Sequence, residues 1–243
     1  MCEELRRKIV GVGCALALLL ALPASAASIS DFSLSTAIDT QGGQQQFALT
    51  QLARDMPPVS QGLDIGMLVS YGTINAGESD EFTGMFFEFV NRSVAPNSSS
   101  VLTSILFETN ALISTPSYDD WSGTQVSYSI GGAFNGGGFG ITFATTANPG
   151  SPPPKNGIGA GENLLLGFTI NPNTPTQYES LLAGLVGGNW IVAAHLQEVS
   201  DHPDGSLWLQ AQPVVPLPGA ASLGLLGFGM VAFLRRKRAG GLT

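Results

Sequence analysis

Gln125-Val126-Ser127-Tyr128-Ser129-Ile130 decides the fold class. Val126, Tyr128 and Ile130 fall on one side of an extended chain and Gln125, Ser127 and Ser129 on the other, the period of two that marks a strand with one apolar face. Phe139–Thr145 repeats the pattern with Phe139, Ile141 and Phe143, and Leu164–Ile170 repeats it with Leu164, Leu166, Phe168 and Ile170. Val101–Glu108 sets Val101, Thr103, Ile105 and Phe107 against Leu102, Ser104, Leu106 and Glu108. Leu63–Tyr71, Glu81–Asn91, Trp190–Gln197 and Leu207–Gln212 read as further strands. Turn formers lie between them: Asn75-Ala76-Gly77, Pro96-Asn97-Ser98, Asn135-Gly136-Gly137-Gly138 and Pro149–Pro154. Many short strands punctuated in this way predict a mainly β domain, a β-sandwich or jelly roll. One helix is predicted over Thr176–Val186, where Tyr178, Leu181, Leu182 and Leu185 recur at helical spacing. Thr176 with Glu179 fits a capping box at its start.

The two chain ends carry different patterns. Arg6-Arg7-Lys8 precedes the uncharged run Ile9–Leu22, and Pro23-Ala24-Ser25-Ala26 supplies small residues for a cut. This predicts a signal peptide over 1–26, removed by signal peptidase after Ala26 or Ala27. At the other end Val215-Pro216-Leu217-Pro218 leads into Gly219–Leu234, which has no charge, and then into Arg235-Arg236-Lys237-Arg238. A helix rising ~1.5 Å per residue carries the run from Pro216 to Leu234 across roughly 28 Å, enough for a bilayer core. The four cations belong on the cytoplasmic side and stop transfer there. The chain therefore divides into the signal segment 1–26, an extracytoplasmic β domain over 27–213, and a tail over 214–243 that includes a transmembrane helix.

The tail resembles that of PEP-CTERM proteins, in the variant that carries VPLPA; Val215-Pro216-Leu217-Pro218-Gly219-Ala220-Ala221 has Gly219 where that variant usually has Ala. A GPI signal follows a similar logic but lacks the terminal basic cluster and the fixed Pro motif. The resemblance implies recognition by an exosortase, an integral membrane processing enzyme, and delivery to the cell surface or the exopolysaccharide matrix. The membrane helix would then be a temporary anchor. Parts of the β region also resemble a recurring β-rich ectodomain of such proteins: Asn156-Gly157-Ile158 before Gly161-Glu162, the segment Tyr178–Leu185, Ala194-His195-Leu196-Gln197, and Asp204-Gly205-Ser206. That likeness implies a fold and a location, and no reaction.

Setting the ends aside changes the charge. The whole chain has 10 Lys and Arg against 18 Asp and Glu, a net charge of −8. Between Ala27 and Val214 only Arg54, Arg92 and Lys155 remain against all the acids except Glu3 and Glu4, a net charge near −13. No basic surface is left to neutralise phosphates, so nucleic-acid binding is not expected. An acidic surface of this kind resists self-association and attracts divalent cations. Both cysteines, Cys2 and Cys14, precede the predicted cut, so the mature domain has no disulfide, thiol nucleophile or thiolate metal site.

Little in the domain signals chemistry. His195 follows Ala193 and Ile191 on one strand face and reads as a core imidazole, and His202 falls in the turn Asp201-His202-Pro203-Asp204-Gly205. No Gly-x-Ser-x-Gly elbow marks an activated serine. Asp80-Glu81, Asp119-Asp120, and Glu88 with Glu108 are paired carboxylates of the kind a glycosidase needs, but solvent faces or strand ends are the simpler account of Glu88 and Glu108. Oxygen ligands for Ca²⁺ gather in Asn75–Glu81 and around Asp201 and Asp204, without EF-hand or nonapeptide spacing. Such an ion would be structural, and no cofactor is required. Trp121, beside Asp119 and Asp120 in a loop-like stretch, is the aromatic best suited to stack on a sugar. The expected protein is a non-enzymatic surface or matrix component; a carbohydrate-binding module is the alternative, and an extracellular hydrolase ranks behind both.

Overall fold

The computed structural model describes residues 32–52, 62–123, 126, 128–135, 139, 142–149, 156–200, 202 and 204–214. The signal segment with Ala26 and Ala27, the motif Val215–Pro218, the apolar run behind it and the basic cluster Arg235–Arg238 lie outside these residues. No helix among the described residues is long and apolar enough to cross a membrane.

The domain is mainly β, with thirteen strands and one α-helix among the described residues, in the order β1 (Asp39–Thr40), β2 (Gln45–Gln51), β3 (Ile65–Ile74), β4 (Phe82–Asn91), β5 (Val101–Phe107), β6 (Leu112–Ser122), β7 (Tyr128–Gly131), β8 (Phe134–Asn135), β9 (Thr142–Phe143), β10 (Thr145–Pro149), β11 (Asn163–Ile170), α1 (Pro175–Val186), β12 (Val192–Gln197) and β13 (Ser206–Pro213). In place of the two facing sheets of a sandwich, one long antiparallel ladder runs β6-β11-β4-β3-β2-β13-β12-β5-β10-β7, with β1 added beside β3, and β8 and β9 form a separate two-stranded hairpin. The ladder curls on itself. Phe87 on β4 and Phe107 on β5 are five strands apart along the sheet, yet their rings meet edge to face at 5.0 Å, and both meet Phe168 of β11 at 5.9 and 5.1 Å. The strands at the two ends of the ladder, β6 and β7, also touch.

The inner face carries the main core: Phe47 and Leu49, Ile65 to Tyr71 in alternation, Met85, Phe87, Phe89, Leu164, Leu166 and Phe168 all belong to one buried cluster. The strands β3, β4 and β11 are buried on their outer face too, unlike the half-exposed strands predicted from alternation. All ten residues of β3 are buried. The segment 32–40 crosses that outer face: Phe32 packs with Leu68 and Val90, and Ile38 packs with Ile74, Phe86 and Leu165. Gly72 permits the crossing, because a Cβ there would sit 2.2 Å from the carbonyl oxygen of Asp39.

The alternation predicted for Val101–Glu108 breaks at Thr103. His195 pairs with Ser104 and Leu196 with Leu102, so Thr103 is an extra residue with no partner in the ladder. This β-bulge shifts the strand by one position and brings Leu102 into the same core as Ile105 and Phe107.

Helix α1 buries Tyr178 and Leu185 against this core, with Leu181 and Leu182 partly buried beside them, as its spacing predicts. Its cap lies two residues before the predicted one: Thr174 Oγ1 accepts from Gln177 N–H at 3.2 Å, ahead of Pro175 in the first turn. Glu179 instead accepts from Gly43 N–H at 3.2 Å and ties the helix to the chain before β2. The Tyr178 ring stacks on Tyr71 at 5.5 Å, and its hydroxyl donates to the Gly43 carbonyl.

Candidate functional site

The residues singled out from sequence are scattered over the fold and do not converge on one place. Asp119, Asp120 and Trp121 lie in strand β6 at the end of the ladder, and not in a loop. Asp119 pairs with Leu166 and Trp121 with Leu164, so these two share a strand face, whereas Asp120 pairs with Leu165 on the other. Trp121 is 45% exposed, and its backbone N–H donates to Asp120 Oδ1 at 2.8 Å. Burial, and then the charge of Asp120, raise the Asp119 carboxyl above the usual aspartate range. An aromatic face beside one acid is therefore displayed on an edge strand, with the second acid turned away from it.

The proposed cation ligands are engaged within their own turns. Asn75 Nδ2 donates to Asp80 Oδ2 at 2.8 Å, and Glu81 Oε2 accepts from Gly77 N–H at 2.7 Å. These bonds close the turn around Asn75 and Gly77, both at positive φ, and use oxygens that an ion would need. Asp204 is exposed in the turn where Gly205 N–H reaches the His202 carbonyl at 2.9 Å; Asp201 lies outside the described residues. No group of three or more His, Cys, Asp or Glu among the described residues is arranged to hold a metal ion.

Neither histidine sits with a serine and a carboxylate in a triad among the described residues. His195 Nδ1 shares a hydrogen bond with Thr103 Oγ1 at 3.2 Å, and its ring lies 4.6 Å from the Trp208 ring across the β12–β13 ladder. Phe139, Phe143, Leu106 and Ala193 complete a second, smaller core on the outer face there. Both ring nitrogens of His202 are buried without a hydrogen-bond partner among the described residues.

Burial lowers the pKa of His195 below the ordinary histidine value. Between the lowered value and the ordinary one, the unfolded chain binds more protons than the folded one, so stability rises with pH across that window and falls as pH drops through it. Urea unfolding at about pH 7.5 and pH 5.5 checks this. The wild type should lose stability at the lower pH, and His195→Gln should lose less; equal losses would remove His195 as the cause.

Glu88 and Glu108 do not form a carboxylate pair across one cleft. Glu88 is fully buried beneath the segment 32–40, contrary to the solvent-face reading, and accepts from Leu34 N–H at 3.0 Å, Ser35 N–H at 2.7 Å and Asn163 Nδ2 at 2.8 Å. Glu108 stands one residue past β5 and lines an open pocket of about 640 Å³ with Thr109, Asn110, Thr142, Asn189 and Trp190. Its Oε2 accepts from Ile191 N–H at 2.9 Å while its own N–H reaches the Ile191 carbonyl at 3.1 Å, so the residue is held through both its side chain and its backbone. The Trp190 indole is fixed as well, its Nε1 donating to the Leu181 carbonyl at 2.8 Å.

This pocket was not legible beforehand. Its walls come from the β5–β6 turn, the chain around β8 and β9, and the turn after α1. The only sequence signals were two turn-like stretches, Thr109-Asn110 and Gly187-Gly188-Asn189, each beside a strand. Comparison with protein-family models, with curated proteins and with solved structures finds no match, so what the pocket and the edge strand can do rests on their own geometry.

Proposed function

We propose that the protein is an exported, non-enzymatic component of the cell surface or exopolysaccharide matrix. In this reading signal peptidase removes 1–26, an exosortase-type enzyme processes the tail at Val215–Pro218, and the apolar run before Arg235–Arg238 holds the chain in the membrane until then. The observation that carries it is the pairing of two targeting-like ends with a domain that has no cysteine and a net charge near −13. A domain that is to stand outside the cell without disulfides needs a core that holds by packing alone. The curled sheet supports the reading on this point, with one continuous cluster running from Phe47 on β2 to Ala211 on β13.

Intact-mass analysis of the protein in fractions of the producing cells tests it. The expected product begins at Ala27 or Ser28, ends close to the Val215–Pro218 motif, and is found in the surface or extracellular fraction. A full-length chain in the cytoplasmic fraction would overturn the reading.

A further inference from the structure

The pocket beside Glu108 has features that solvent-facing turns rarely combine. Its carboxylate is held in place by the Ile191 backbone, yet only Oε2 is used; Oε1 has no partner among the described residues. Arg92, the one Lys or Arg among the described residues, is held by Asp64 at 2.8 and 3.1 Å, so no cation among the described residues pairs with Glu108. The same pocket is lined by the exposed Asn110 and Asn189, by Thr109, whose hydroxyl accepts from Ala111 N–H at 3.2 Å, by Thr142 and by the fixed Trp190. An acceptor-only group beside amides that both donate and accept is the complement of neighbouring hydroxyls on a sugar ring. The volume lies within the range of small-ligand clefts, roughly 300 to 1,000 Å³. An anionic ligand would meet Glu108 in a strongly acidic domain, so uronates and phosphates do not fit.

We propose that this pocket binds a hydroxyl-bearing sugar residue, neutral or amine-bearing, with Glu108 Oε1 as its central acceptor and the Asn110 and Asn189 amides beside it. It rests on the reading above only for the source of the sugar, an exported polysaccharide. The site differs from the Trp121 edge, which offers one aromatic and one acid and no enclosure.

Titration calorimetry on the full chain in detergent micelles tests the proposal with three probes: cellotetraose, a glucosamine tetramer and tetragalacturonate. Cellotetraose or the glucosamine tetramer should bind, with tetragalacturonate at least about tenfold weaker. Glu108→Gln keeps an oxygen for Ile191 N–H, so the fold is retained, and a matching thermal midpoint verifies it. This variant should weaken the glucosamine tetramer by about tenfold or more if the ligand carries an amine, and cellotetraose by a smaller factor if it does not. Asn110→Ala with Asn189→Ala should weaken whichever probe binds, and Trp121→Ala should leave it unchanged. The site is overturned if neither cellotetraose nor the glucosamine tetramer binds, if tetragalacturonate binds as well as they do, or if the Glu108 and Asn variants bind like the wild type. Those failures leave the fractionation result untouched, and failure of the localisation leaves the binding measurement untouched.

Discussion

Phe107→Ala should cost ~3–5 kcal/mol of unfolding free energy, a large part of the ~5–15 kcal/mol that a domain usually has. Phe107 is fully buried, and its ring is the meeting point of strands that the ladder keeps far apart: Phe87 of β4 lies 5.0 Å from it and Phe168 of β11 lies 5.1 Å from it, both edge to face. Removing the ring leaves a cavity between two halves of a curled sheet. The edge of each half is fixed by hydrogen bonds, so neither can simply close over the gap. Beyond the buried area, two aromatic pairs are lost, each worth ~0.5–1.5 kcal/mol. Phe107→Leu keeps most of the volume and should cost less than half as much. Urea unfolding of both variants measures this; a midpoint for Phe107→Ala within the error of the wild type would mean that the three-ring contact does not hold the curl closed. Trp121→Ala is the matched control, since a side chain 45% exposed on an edge strand should change stability by no more than about 1 kcal/mol.

Alternation in the sequence revealed the strands whose two faces differ. Val126, Tyr128 and Ile130 do point to the core side of β7 and the chain before it, as the opening pattern implies. It failed where the local rule was overridden by neighbours. Leu165 and Leu68 look like stray apolar residues on a polar face, but they are covered by Ile38 and Phe32 from a segment more than a hundred residues before Leu165. Thr103 looks like a core position by parity and is a bulge, because register is settled by the partner strand β12 and not by β5 itself.

Strand β6 shows no strand alternation in the sequence, and its Ser114-Thr115-Pro116-Ser117 is turn chemistry. The ladder tolerates it because β6 pairs on one side only, with β11, and the pairing is interrupted between Phe168 and Thr169 where residues 114–116 have no partner. Pro116 has no N–H to give and falls in that interruption, and Asp119 and Asp120 on the same strand discourage pairing with a further chain. The candidate pocket was hidden for a related reason. Glu108, Thr142 and Asn189 come from three distant segments, and a single chain with no periodic signal in its turns says nothing about which turns meet.

Glu88 is the second position where a single change should have a large effect, and here the loss is one of hydrogen bonds. Its carboxylate is fully buried on the outer face of β4, between Leu68 and Leu165 in the ladder, and among the described residues it is matched by three donors and no cation. Glu88→Ala deprives Leu34 N–H, Ser35 N–H and the Asn163 amide of an acceptor at once. Each buried donor without a partner costs ~1–3 kcal/mol, and the short 3-10 turn at Leu34–Ala37 limits the sum because it can lift toward water, so ~3–4 kcal/mol is expected. Glu88→Gln keeps one acceptor but turns an NH₂ group toward other donors, and should cost ~2 kcal/mol. Amide exchange separates this from a general loss of core. In Glu88→Ala the Leu34, Ser35 and Ile38 amides should exchange by local opening well before β4 and β11 do, because the segment 32–40 loses its anchor while the inner core is intact. Asn163→Ala in the Glu88→Ala background should add less than it does alone, since the two side chains share one bond. Additive losses with uniform exchange would mean that the segment is held by Phe32 and Ile38 alone, and that the buried carboxylate contributes nothing beyond filling space.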